Sequence, residues 1–572
     1  MRNTELAQIF REIALYLEMK EEPFKPRAYE KVAYSLEALE EPVGEIYRRG
    51  GVKALRAIPG VGQAIAEKIE EVIQTGRLRY YEELKKEVPV DVRGLTAIEG
   101  IGPKSVKLLY EKLAIKTAAD LEKAAREGKI RGLPHFGEKM EQKILKGIEF
   151  LKQGSGRFPL GSALPLIGEI EQRLRELPEV EEVVVAGSTR RWKETIGDAD
   201  ILAISRKPEK VMEFFVSMSE VMHVQGQGKT KSTVKLKNGM DVDLRVVPKE
   251  SFGAALNYFT GSKDHNVALR KIAQEKGLKL NEYGLFRGNK RIAGKTEEEI
   301  YKALGLAFIP PELRENQGEI EAAQKGELPN LVGYRDLRGD LQTQTTWTDG
   351  ANSIAEMAEE AKRLGLEYIA ITDHTKGLAM TGGSDEKKLL KQMAEIDKIN
   401  RSLKGITILK GAEVNINKDG TLDIKDEVLA QLDVVGIAVH SHFNLPKREM
   451  TERIVRAMRN PHADILFHPT GRVIQKREPY DVDMDALIKT AKETGTVLEI
   501  DAYPDRLDLK DGHIRKAVEA GVKLAVDSDA HSVNHMRFLE FGVAQARRGW
   551  AEKKDVINTR PLKEFLKCLK RP

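Results

Sequence analysis

At 572 residues, 41% of them hydrophobic, the chain is too long for one core and is expected to divide into about three or four domains. Its 94 Lys and Arg against 89 Asp and Glu leave a net charge of only +5, so a nucleic-acid surface made by bulk charge is excluded and any such surface must come from local clustering. The single cysteine, Cys568, excludes internal disulfides, and no apolar leader or run of about 18 apolar residues occurs, so a reducing, cytoplasmic setting away from membranes is expected.

In chain order, residues 1–90 read as helical: Leu6, Ile9, Phe10, Ile13 and Leu17 of "TELAQIFREIALYLEMK" fall on one face of a helix. Within and beyond them, "AIPGVGQAIAEKIEEVIQTG" (57–76) is echoed by "AIEGIGPKSVKLLYEKL" (97–113) and more distantly by "GLPHFGEKMEQKILKGI" (132–148), which predicts one module used three times. Each copy sets a glycine turn before a helix. Gly60 and Gly62, then Gly100 and Gly102, would leave backbone amides at a helix start, where a phosphate is favoured. Plain helix–turn–helix packing is the alternative.

From about residue 180 short strand-like runs take over, "VEEVVVAGS" and "STVKLKNGMDVDLRVV", with helices predicted from 251 onward. The stretch 315–332 is polar and reads as a connector, with a new domain near 333. Beyond it, "EYIAITDH", "GITILKGAEV", "LDVVGIAVHSH", "ADILFHP", "GTVLEIDA" and "VKLAVDSDAH" each end in acidic or imidazole residues, mostly separated by helix-length segments. Polar chemistry at the C-terminal ends of successive strands predicts a barrel of parallel strands.

Asp198 and Asp200 of "AGSTRRWKETIGDADILAI" lie two apart on an apolar strand, so both carboxylates project from one face, and Asp243 of "MDVDLRV" offers a third from another strand. Clustered acids repel one another unless cations sit between them, and magnesium bound by carboxylates and substrate phosphates is the usual arrangement for phosphoryl transfer. Gly187, Ser188 and Arg191 of the neighbouring "GSTRR" suit a triphosphate.

"GSTRR…GDAD", "VDLR" and "YFTGSKDHNVALR" (258–270), with the hairpin modules upstream, resemble the family X DNA polymerases, the group that includes DNA polymerase beta, over about residues 1–315. The resemblance implies a helical helix–hairpin–helix region (a lyase-like domain at 1–90 and further hairpins at 91–155), an α/β nucleotidyltransferase palm (156–250) and a nucleotide-selecting, thumb-like subdomain (251–315), then a linker (316–332). It assigns Asp198, Asp200 and Asp243 to two Mg2+ ions, Gly187, Ser188 and Arg191 to a deoxynucleoside triphosphate, and Tyr258, Phe259 and Gly261 to the sugar pocket. Asn266 falls on the minor-groove side of the incoming base and Arg270 against the template, while Val267 replaces a lysine of the beta enzyme. The implied reaction is in-line attack of a primer 3′-hydroxyl on the α-phosphate, on gapped or primed DNA held by the hairpins through its backbone, by a monomeric repair enzyme. Lys68 matches the Schiff-base lysine of a 5′-deoxyribose-phosphate lyase, with Lys25 and Tyr29 in support, but Ala64 replaces a further lysine of that pattern.

Residues 333–572 resemble the polymerase-and-histidinol-phosphatase (PHP) domain, a β/α barrel with a 3′–5′ exonuclease or phosphoesterase role. The resemblance carries Mn2+ or Zn2+ ligand roles onto Asp349, His374, Glu413, His440, His468, Asp529 and His531. The opening His-x-His pair of that pattern is here Gln342 and Gln344 of "GDLQTQTTWTDG", and an amide oxygen is a poorer donor than imidazole nitrogen. The ion that would share the pair with Glu413 and Asp529 is therefore expected to be weakened, and the nuclease with it.

Overall fold

Three helices in the first 153 residues begin by one local design: α1 (Gln63–Thr75), α2 (Pro103–Leu113) and α3 (Glu138–Gln153). In this computed structural model, which describes residues 3–570 apart from 38, 40, 99, 154, 155, 379 and 380, each helix succeeds a turn closed by one backbone hydrogen bond. Val61 N–H donates to Ile58 O, Ile101 to Ile98 and Phe136 to Leu133, all at 3.0 Å. Gly60 and Gly100 take left-handed backbone at φ +79° and +87°, where glycine meets no Cβ penalty. The third copy has His135 at φ +67° instead, a conformation that costs an L residue about 1–2 kcal/mol, which is why that copy reads faintly in the sequence. Ile58, Val61, Ile98, Ile101, Ile130 and Phe136 all reach one buried helical core. The boundary expected at 155 falls at residues 154 and 155, outside the described residues.

The palm is a five-stranded sheet of β1 (Val180–Val185), β2 (Asp198–Ser205), β3 (Val221–Gln227), β4 (Lys231–Leu236) and β5 (Asp241–Val246), in the order β1-β2-β5-β4-β3. Only β2 and β5 run parallel. After it come α4 (Phe252–Thr260) and α5 (Lys263–Glu275), as the sequence leads one to expect. A small antiparallel sheet of Lys279–Asn281, Gly284–Arg287 and Lys290–Ala293 then interrupts the helices, and the sequence gives no sign of it. Strands of three or four residues carry too few alternations to register as a period.

The stretch read as a polar connector also differs. It holds α6 (Glu319–Lys325), whose Ile320 and Ala323 are buried in the core of the preceding subdomain and whose fully buried Glu319 pairs with His265 at 2.7 Å. Burial holds the His265 imidazole below its ordinary pKa, so this contact is a buried hydrogen bond, while the exposed Gln317, Glu321, Gln324 and Lys325 account for the polar reading of the stretch.

The C-terminal region is a nearly closed barrel of seven parallel strands in sequence order: β6 (Gly339–Thr343), β7 (Tyr368–Ile371), β8 (Thr407–Asn415), β9 (Val434–Ala438), β10 (Ile465–Leu466), β11 (Val497–Asp501) and β12 (Leu524–Asp527). The first strand meets the run after the last, where Gln344 N–H donates to Ala530 O (2.8 Å) and Ala530 N–H to Gln342 O (3.2 Å). Leu341, Tyr368, Leu409, Val434, Val497 and Ala525 pack together in one buried cluster, and the polar residues lie toward the C-terminal strand ends. No helix among the described residues is long and apolar enough to cross a membrane.

Candidate active sites

Parallel pairing of β2 with β5 sets Asp198 opposite Asp241 and Asp200 opposite Asp243, so the third carboxylate stands directly across from the second. Burial, and then the charges of Asp198 and Asp243, push the Asp200 carboxyl up from 3.8 to about 6. Such mutual repulsion is what a cation between carboxylates relieves, although the oxygens of these three do not all come within 4.8 Å of one another here. Gly187, at the head of the "GSTRR" turn, is packed so closely that an added Cβ would come within 2.8 Å of Asp200 Oδ2, which ties the turn to the carboxylates. Asp243 accepts from Thr233 Oγ1 (2.5 Å) and pairs with Lys231 (3.1 Å) and Arg245 (3.0 Å), and Arg245 lies 4.4 Å from the centre of the Phe259 ring.

Of the expected nucleotide residues, Ser188 sits in the short helical turn Gly187–Arg190, and Tyr258 and Phe259 end α4 with their rings edge to face at 5.1 Å. Asn266 donates from Nδ2 to Tyr258 O (2.7 Å), while its buried Oδ1 has no protein partner. Arg270 lies four residues on along α5, one turn from Asn266, and Val267 is half exposed. Arg191 is already engaged: its Nε meets Glu315 Oε1 at 3.1 Å and its guanidinium donates to Thr260 O.

Lys68 lies on α1 with its Nζ 4.9 Å from the Tyr80 ring centre and 3.4 Å from Ala64 O. Tyr80 in turn stacks on Tyr29 at 6.3 Å, so Tyr29 does reach this corner, whereas Lys25 is paired with Glu22 at 2.9 Å.

In the barrel two groups bring three ligand-type atoms within 4.8 Å of one another: Asp349, His374 and His531, and His374, Glu413 and His440; among the described residues there is no other such group. His468 joins the second, its Nε2 at 2.8 Å from Glu413 Oε1. Burial pushes Glu413 up, but His374, His440 and His468 outweigh it and hold the carboxyl well below its ordinary range. Burial depresses His374, yet Glu413 and Asp349 raise it to about 9, and burial of Asp349 is outweighed by His374 and His531, which bring it to about 2. Both groups are charge-rich, preformed and fit divalent ions.

The third expected position does not fit. Gln344 presents an N–H, not an oxygen, to Glu413 Oε2 (3.0 Å), and both polar atoms of the fully buried Gln342 lack a partner. Asp529 lies outside both groups and faces a guanidinium, with Arg506 Nε 3.5 Å from its Oδ2 and 3.4 Å from Asp501 Oδ2. Below them Glu499, Asp501 and Asp527 are fully buried, and burial together with neighbouring carboxylates holds each well above its ordinary pKa. Asp340 accepts from Ser528 N–H (3.0 Å), and burial raises it to about 7.

The sequence matches a helix-hairpin-helix domain at residues 1–78, a helix-hairpin-helix tandem at 92–149, the DNA polymerase beta thumb at 255–315 and the PHP domain at 340–504. It is 38% identical to the DNA polymerase/3′-5′ exonuclease PolX of Bacillus subtilis (strain 168) over 576 residues, covering 100% of both chains. The chain belongs to the PolX family of DNA polymerases. Partial relatives share its halves. DNA polymerase lambda of Rattus norvegicus is 28% identical over 50% of this chain and 52% of its own. A probable phosphatase of Thermoanaerobacter sp. (strain X514) is 32% identical over 41% of this chain and 95% of its own.

Reading motifs singly misses four cations of this PolX chain. Lys231 and Arg245 neutralise Asp243, and both are visible in "KSTVKL" and "VDLRV" as same-face neighbours of the carboxylate once the sheet register is known. Arg506 and Arg548 stand out less, because the partners that tie them to the sites, Asp529 and Glu315, lie on another strand end and in another domain.

Proposed function

We propose that this chain fills short gaps in DNA during repair as a template-directed, magnesium-dependent polymerase, and that its barrel acts on DNA 3′ ends or related phosphoesters with two divalent ions in place of three. The observation that carries the first half is the register of Asp200 against Asp243 beneath the Gly187 turn, in a chain with full-length identity to a DNA polymerase. Magnesium bound by Asp198, Asp200 and Asp243 would supply the charge that lets the carboxylates stand together and makes the primer 3′-hydroxyl easier to deprotonate. The protein's own groups do the rest. Ser188 and Arg191 hold the triphosphate, and Tyr258 and Phe259 crowd the place of a ribose 2′-hydroxyl. Asn266 has a free oxygen for the base edge, Arg270 steadies the template, and Arg245 and Lys231 hold Asp243 in place while the site is open. The hairpins at Gly60–Gly62 and Gly100–Gly102 grip the backbone without reading sequence.

In the barrel, Asp349, His374, Glu413, His440, His468 and His531 would hold manganese or zinc, and Arg506 stands at Asp529 where the third ion is expected. A non-catalytic scaffold is disfavoured by the intact carboxylate triad, and an RNA- or drug-modifying transferase by "YFTGS" and the hairpins. We read the chain as a cytoplasmic monomer with units at 1–90, 91–155, 156–250, 251–315 and 333–572. Labelled gapped DNA incubated with and without deoxynucleotides tests both halves at once: extension by the length of the gap with nucleotides, and slow manganese-dependent shortening without them. Absence of extension would overturn the polymerase reading.

A further inference from the structure

Glu315 is the shared counter-ion of three cations. Arg191 Nε reaches its Oε1 at 3.1 Å, Arg548 Nη1 the same oxygen at 3.2 Å and Lys193 Nζ at 3.7 Å. Burial pushes the Glu315 carboxyl up, and Arg191 and Arg548 outweigh it, so the group stays charged. Arg191 and Arg548 come from different domains. The first ends the "GSTRR" turn of the palm; the second ends α7 (Leu539–Arg548), a helix of the barrel packed on that turn through Phe541 against Trp192 (rings 5.4 Å apart) and Gln545 Nε2 to Trp192 O (3.3 Å).

Arg548 is buried, 6% exposed, and has two further anchors: it donates to the backbone carbonyl of Arg191 itself (2.8 Å) and to Asp511 Oδ2 (2.5 Å). Arg191 therefore has its backbone fixed by the barrel and its side chain committed to Glu315 and to Thr260 O of "YFTGS". To meet a triphosphate the guanidinium must give up Glu315. A largely buried carboxylate stripped of its partner is costly unless another cation stays with it.

We propose that Arg548, supplied by the barrel, is a positioning residue of the polymerase pocket: it fixes the Arg191 backbone and keeps Glu315 neutralised when the Arg191 side chain turns to an incoming nucleoside triphosphate. The proposal rests on the reading that Arg191 binds the triphosphate. The barrel thus sets nucleotide affinity through one ionic bridge, whatever its own metal chemistry.

Steady-state single-nucleotide gap filling by the full chain tests it. Arg191→Ala should raise KM for the deoxynucleotide; if it does not, the reading of the pocket fails and the proposal with it. Arg548→Ala should raise that KM by about tenfold, the order of one lost charge-assisted hydrogen bond, while kcat changes by less than about twofold. Arg548→Lys should recover part of the loss. Adding Glu315→Gln to Arg548→Ala should recover most of it, because a neutral amide no longer competes for Arg191, and a merely structural role for Arg548 would give no such rescue. Thermal melting and barrel metal content serve as folding controls. An unchanged KM in Arg548→Ala beside a raised one in Arg191→Ala, or a double variant no better than the single, would overturn the proposal. Should Arg548→Ala not fold, Glu315→Gln alone remains decisive: a KM at or below the parent's supports the bridge, and a clear rise refutes it.

Discussion

Replacing both Gln342 and Gln344 by histidine should let the barrel take one more ion than the parent does. The perturbation acts on two fully buried amides, one with no hydrogen-bond partner at either polar atom and the other donating to Glu413 Oε2 at 3.0 Å. Removing that N–H frees a carboxylate oxygen of Glu413, and each imidazole offers a nitrogen where an amide stood. Loss of even supporting groups around a metal commonly costs about 10–100-fold in affinity, so restoring two direct ligands should gain at least that much. Arg506 works against the gain, since its Nε lies 3.5 Å from Asp529 and its guanidinium must withdraw before Asp529 can bind an ion. The rise should therefore be larger when Arg506→Gln is added. Elemental analysis after dialysis against manganese should find about two barrel ions per parent chain and three in the variants, the palm's ions adding equally to each, and shortening of a labelled 3′ end should quicken in the same order. A parent that already holds three ions and degrades 3′ ends as fast as the double variant would refute the reasoning and make glutamine an adequate ligand.

The palm and the first hairpin give three other outcomes. Asp243→Ala should lower extension by more than about 100-fold, beyond what groups supporting a metal cost, while gapped-DNA affinity measured by fluorescence anisotropy stays near the parent's. The raised Asp200 pKa means that the metal-free folded chain takes up a proton between pH 3.8 and about 6. That group therefore destabilises the metal-free fold above pH 6, by up to about 3 kcal/mol, and the penalty fades as pH falls toward 3.8. Magnesium removes it, so the rise in Tm on adding magnesium should grow from pH 5 to pH 7; a rise that shrinks over this range contradicts the assignment. Borohydride should trap a covalent adduct with an abasic 5′ end that Lys68→Ala abolishes; trapping that survives the substitution would move the nucleophile elsewhere.

How much of this chain its sequence discloses depends on how far apart the interacting residues lie. Asp198 and Asp200 are legible because a strand repeats every two residues, and the hairpin modules because they recur. That Asp200 faces Asp243 needs a parallel register that no local pattern encodes. The barrel is legible from ligands ending successive apolar runs, yet two of the seven ligands read there, Asp529 and His468, stand differently from the rest: one beside a guanidinium, the other attached through Glu413. Arg506 reads as one charge among many in "YPDRLDL". Glu315 and Arg548 are 233 residues apart, and Glu194 and Arg472 are 278 apart; at such separations charge complementarity has no signature before the chain is folded.

The same distances give the barrel a place in this polymerase apart from any metal it binds. Ile474, Leu507 and Phe541, all on barrel segments, are buried in the palm's own hydrophobic core beside Leu160, Ile167 and Ile196. Pro504 fits so closely against Gly161 that an added Cβ there would stand 2.1 Å from it, and Arg472 bridges to Glu194 at 2.8 Å. These contacts come from the loops after β10 and β11 and from α7, whereas Gln342 and Gln344 lie on β6 and its end. Exchanging the imidazole pair for amides thus alters the ligand set of one ion position without touching the side chains that complete the palm. Cutting the barrel away would instead open that core and release Arg548 from Glu315.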